Sequence, residues 1–144
     1  MFQIALLMAL NFSLIAEKPA SKTEKFFKNI DGEWKVESVY LNGEKTTVQA
    51  EDGDVEIKEK KFFTQGTARL KFSSVDPDTD PIVVDFVPLN EGKEGDMKLE
   101  GILQIKEDKM TIVISLTPGN RPTSLDQPTE AGIIHVVLTR KKMK

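Results

Sequence analysis

The stretch from Asp31 to Glu44, "DGEWKVESVYLNGE", decides how the rest of the chain is read. It places Gly32 two residues before Trp34, the chain's single tryptophan, and it closes on Asn42-Gly43. A strand from Glu33 to about Leu41 fits this stretch, because Asn and Gly tolerate the positive φ values that a type I′ hairpin turn demands. Trp34 then stands at the start of the first strand.

Downstream the same two-residue period recurs. "DVEIKEKKFFTQG" sets Val55 and Ile57 against charged neighbours, and "TARLKF" alternates Ala68, Leu70 and Phe72 with Thr67, Arg69 and Lys71. "IVVDFV" puts Ile82, Val84 and Phe86 on one side with Asp85 on the other, and Pro88 ends it. "MKLEGILQI" and "KMTIVISL" read as a hairpin about "KEDK", with Met110, Ile112, Ile114 and Leu116 on one face of its second arm. "GIIHVVLTR" is the last strand, reached through the long Pro- and Gly-rich link "TPGNRPTSLDQPTEAG". The helical signal is "EKFFKNI", about one turn, with Phe26, Phe27 and Ile30 on a shared face.

About seven or eight short strands with no amphipathic helix between them predict an all-β, antiparallel, up-and-down architecture. Closing it into a barrel removes exposed edges, as suits a monomer. The inward set is Trp34, Val36, Val55, Ile57, Leu70, Phe72, Ile82, Val84, Phe86, Leu99, Leu103, Ile105, Ile112, Ile114, Ile134, Val136 and Leu138. A barrel of eight strands is close to the size at which side chains either fill the interior or leave room for one small ligand.

Gly32, Glu33 and Trp34 at the start of a first strand resemble the Gly-x-Trp signature of lipocalins and their calycin relatives. That resemblance implies a barrel of about eight strands whose tryptophan closes one end, with an Arg or Lys near the end of the last strand packed across its ring. Arg140 is the matching residue here, and it shares its strand face with Ile134, Val136 and Leu138. A guanidinium over an indole contributes about 0.5 to 2 kcal/mol. Over Ile30 to Lys142 the chain is also similar to a family of small exported lipocalin-like domains abundant in planctomycete bacteria. The matching segments are "GEWKVESVYLNGE", "TIVISLTPGNRPTSL" and "HVVLTRKK", with Leu125 where that family commonly has phenylalanine. The resemblance implies a fold and an export route and supplies no reaction.

The first sixteen residues, "MFQIALLMALNFSLIA", carry no charged side chain. Followed by the polar "EKPASKTEK", they read as a signal-peptide core, shorter than the roughly 18 to 20 residues of a membrane span. The expected organisation is therefore a signal peptide over 1–16, a linker with a short helical turn over 17–29 and a barrel domain over 30–142. Its expected location is secreted or periplasmic, with no membrane span in the mature chain. The alternative is an apolar helix retained against the domain.

At 144 residues, 39% hydrophobic and 30% charged, the chain is long enough for one core and too apolar for general disorder. A net charge of −3 with mixed signs leaves no basic face for nucleic-acid phosphates. The closing "TRKKMK" reads as a solvated terminus. The absence of cysteine removes disulfides and thiol chemistry.

The lone His135 cannot build a multi-histidine metal site and reads as a surface or rim histidine. "DPDTD" resembles the start of a calcium loop, but Pro81 and Val87 stand where its glycine and glutamate belong, so a turn is expected. No metal or cofactor and no catalytic group is expected. The candidate ligand-binding residues are Phe72, Phe86, Leu103, Ile114 and Val136 inside the barrel. Arg121 joins them from the loop, where its planar fork suits either an anion or bracing of loop carbonyls. Two partners remain open: a small apolar molecule or lipid held in the barrel, or an envelope protein met by the Pro118 to Gly132 loop of a solid barrel.

Overall fold

The structure is a computed structural model that describes residues 21–46, 53–126 and 131–141. The proposed signal segment at 1–16 and the start of the linker lie outside these residues.

Helix α1 (Lys22–Ile30) precedes ten strands: β1 (Gly32–Leu41), β2 (Glu44–Thr46), β3 (Asp54–Lys58), β4 (Lys61–Thr64), β5 (Thr67–Asp76), β6 (Ile82–Asn90), β7 (Lys93–Glu94), β8 (Leu99–Lys106), β9 (Lys109–Ser115) and β10 (Ile133–Arg140). Eight of them close an antiparallel up-and-down barrel in the order β1, β3, β4, β5, β6, β8, β9, β10, with β10 returning to pair β1 from Trp34↔Arg140 to Leu41↔Ile134. Strand β2 pairs the far end of β1, and β7 pairs the end of β6. Because neighbours are antiparallel, one mouth collects the start of β1 with the end of β10. The other collects the ends of β1 and β9 with the starts of β8 and β10.

Asn42 and Gly43 adopt φ of 55° and 82°, the tight turn expected of them. "DVEIKEKKFFTQG", expected as one run, is split into β3 and β4 by a second turn at Glu59 and Lys60, whose φ values are 52° and 64°. Neither residue type signals a left-handed turn, so the sequence conceals it. The split brings Phe62 inward, a core residue absent from the expected set. Bulges at Glu37, Arg69 and Ser73 shift the register on β1 and β5.

The inner core contains all seventeen expected residues, together with Phe26, Phe27, Ile30, Phe62, Val75 and Met110. Leu116, expected beside Met110, Ile112 and Ile114, lies beyond the end of β9 and is exposed.

Helix α1 extends beyond the single expected turn and begins inside the segment read as linker. Ser21 caps it, its hydroxyl accepting from the Glu24 amide at 3.1 Å. Nine residues are too few for a helix stable in isolation. It is held instead by Phe26 and Ile30, which are buried against the barrel.

Candidate functional site

The helix end of the barrel is closed from the inside. Trp34 is fully buried, and its indole Nε1 donates to the Ile30 carbonyl, the last of α1, at 2.8 Å. The Arg140 guanidinium lies 4.3 Å from the Trp34 ring centroid. It also donates to the Asn29 carbonyl at 2.6 Å, so one cation stacks on the indole and binds the end of the helix. Gly32 beside it has a φ of 136°, a backbone conformation that favours glycine, whereas a Cβ there would make only an ordinary contact with Arg140 Nη1 at 3.7 Å.

Above this plug the interior is filled by rings. Phe72 lies 5.1 Å from Phe62 and 4.9 Å from Phe86, centroid to centroid, and Phe26 and Phe27 of the helix pack edge-on against Phe72. The Phe86 ring is seated over Gly101, where an added Cβ would meet the Val113 carbonyl oxygen at 2.7 Å. Two grooves of about 360 and 430 Å³ flank Phe27 outside the barrel, beside Lys60.

The opposite mouth differs. Leu41, Met97 and Leu116 are 39%, 50% and 38% exposed, and they are the exposed large hydrophobic residues among those described. They stand at the end of β1, just before β8 and just after β9, so all three belong to this mouth. Beneath them the inward-facing Val36, Ile134 and Val136 remain only partly buried.

From this mouth the loop after β9 folds back over the outer face as a strap. Arg121 donates through Nη1 to the carbonyls of Val84 and Gly101, at 2.8 and 2.9 Å, and through Nη2 to Asp85 at 2.6 Å. Asp85 also accepts from Ser74 at 2.7 Å and pairs with Lys98 at 3.2 Å. Burial pushes the Asp85 carboxyl up, but the hydrogen bonds from Ser74, Arg121 and Lys98 outweigh it and hold the group below the usual carboxylate range. Further along the strap, Leu125 packs on an outer-face cluster of Ile102, Val113 and Ile133.

His135 lies under the strap and is not the surface or rim histidine expected. It points outward, as its parity requires, but the loop covers it to 7% exposure, with Nε2 at 3.0 Å from the Leu125 carbonyl oxygen.

The candidate ligand residues are therefore distributed over three environments. Phe72, Phe86 and Leu103 belong to the packed interior, Ile114 and Val136 lie toward the open mouth, and Arg121 braces the outer face. Its partners are strand carbonyls and a carboxylate, whereas the sequence suggested loop carbonyls. Asp76 and Asp78 form the expected turn, with the Asp78 amide donating to Asp76 at 3.1 Å and Asp78 pairing with Lys22. Leu41 and Met97 stand at strand ends, where an apolar residue carries no periodic signal, and the period of β9 assigns Leu116 to the inner face with Met110, Ile112 and Ile114 rather than to the rim. The chain matches no protein-family model, no curated protein and no solved structure.

Proposed function

We propose that this chain is an exported, non-enzymatic binding module of the lipocalin-like kind that takes up a small apolar molecule or acyl chain at the mouth away from Trp34. The observation that carries the reading is the placement of Leu41, Met97 and Leu116, all exposed, around one mouth. Below this rim the partly exposed Val36, Ile134 and Val136 offer apolar wall. The plugged end gives the molecule one direction of entry. Export is supported by the uncharged segment at 1–16. Among the described residues no helix is long and apolar enough to cross a membrane.

A second reading has a specific observation behind it. The interior next to the plug is occupied by Phe62, Phe72 and Phe86, which suits a solid barrel whose rim meets an envelope protein.

Titration with a dansyl-labelled fatty acid tests the first reading. Saturable, blue-shifted emission is expected, weakened at least about tenfold by Val136→Trp, which fills the mouth, and by Leu41→Glu, which charges its rim. Absence of saturable binding, or binding indifferent to both substitutions, refutes it. Native mass spectrometry of protein purified from its own host should show a small apolar molecule travelling with the barrel.

A further inference from the structure

We propose that the Leu125 half of the strap is a pH-responsive cover that lifts from the barrel when His135 takes up a second ring proton. Nε2 faces the Leu125 carbonyl at 3.0 Å, so it carries the proton of the neutral ring and donates it there. Nδ1 is buried and has no hydrogen-bond partner among the described residues. A neutral imidazole leaves only a bare acceptor at Nδ1. A doubly protonated one places an N–H donor and a full charge at the same spot, and a buried donor without an acceptor is costly.

Among the described residues, no group receives that proton. Val113 lies across from His135 on β9, and Tyr40 lies across on β1 with its ring edge-on at 6.0 Å. Of the charged groups on the described elements packed against His135, Lys45 is paired beyond Tyr40 on β2, Glu37 on β1 is engaged with Lys109 of β9 at 3.5 Å, Glu100 stands on β8 and Asp126 on the strap. Glu100 is engaged with the Gly119 amide at 3.0 Å and stands 3.9 Å from Arg121. Asp126 is exposed, and no hydrogen bond or ion pair links it to His135.

Lifting the Leu125 half uncovers the ring edge at Nε2 that it covers and lets water reach the charged imidazolium. The Arg121 half stays down, because its partner Asp85 keeps its charge through the mildly acidic range in which histidines titrate. Pro122, next to Arg121, is the point at which the two halves separate. What opens is the cover over Ile102, Val113 and Ile133.

Methyl relaxation dispersion at Leu125 reads the population of the lifted strap, and the His135 ring resonances report its protonation in the same samples. Between about pH 8 and pH 5 the lifted population should rise at least about fivefold, with a midpoint that coincides with the ring titration. The contact of Gly119 with Glu100 should persist throughout. His135→Gln, which keeps a donor for Leu125 but takes up no proton, should abolish the response. A strap that stays down through the ring titration of the unmodified protein overturns the proposal, and so does a response that survives in His135→Gln. The first of these outcomes needs no variant to fold.

Discussion

Truncating Trp34 to alanine removes the residue on which the closed end is built. The ring is fully buried, so the loss includes its whole transfer from water and the void left in the core beside Ile30 and Arg140. Such truncations cost about 3 to 5 kcal/mol, which includes the indole bond to the Ile30 carbonyl. The Arg140 guanidinium loses its aromatic partner as well, a contact of about 0.5 to 2 kcal/mol. A domain of this size has only about 5 to 15 kcal/mol in total, so the variant should unfold at much lower denaturant. Urea denaturation followed by far-ultraviolet circular dichroism is the assay, because the chain's only tryptophan leaves with the mutation. The slope of the transition should be unchanged, as expected when stability falls and the unfolded state does not change. A double-mutant cycle with Arg140→Met then isolates the stacking, with an expected coupling of about 0.5 to 2 kcal/mol. A loss below about 1 kcal/mol for Trp34→Ala would refute the reasoning, since no fully buried indole that plugs a barrel is so cheaply removed.

Three further changes probe the opposite faces of the sheet. Gly101→Ala should destabilise by about 1 to 3 kcal/mol by the same assay, because its methyl group meets the Val113 backbone oxygen at 2.7 Å and cannot be relieved by a rotamer change. Arg121→Met should cost about 1 to 3 kcal/mol, since it leaves two strand carbonyls and Asp85 short of a donor while Ser74 and Lys98 remain in place. Asp85 has a depressed folded-state pKa, so its contribution is present above the unfolded value of about 3.9 and is lost as pH falls through the folded value. Asp85→Asn should accordingly flatten the dependence of stability on pH between about pH 4 and 2, as read from urea midpoints across that range.

The alternation of apolar and polar residues was enough to place seventeen side chains on the inside of a closed sheet, because a strand has two faces and only one can be buried by its own barrel. It placed Trp34 and Arg140 on the same side, and their register on β1 and β10 sets them opposite one another. Phe62 escaped because its strand was concealed. Glu59 and Lys60 are residues with no turn preference, and tertiary pairing of β3 with β4 imposes their left-handed backbone.

The same physics explains why the strap was illegible. Periodicity states which way a side chain points relative to its own strand and says nothing about what lies on top of it. Ile102, Val113 and His135 all point outward, and a rule with two faces assigns them to water. They are buried because Leu125 and Arg121, from a segment with no regular period, fold back across them. The signal was present in composition: Ile102 and Val113 are apolar residues on nominally wet positions, interrupting the alternation of β8 and β9 where the strap crosses. A strand that reads apolar on both faces needs a second cover, and in a barrel built from one sheet that cover must come from a loop.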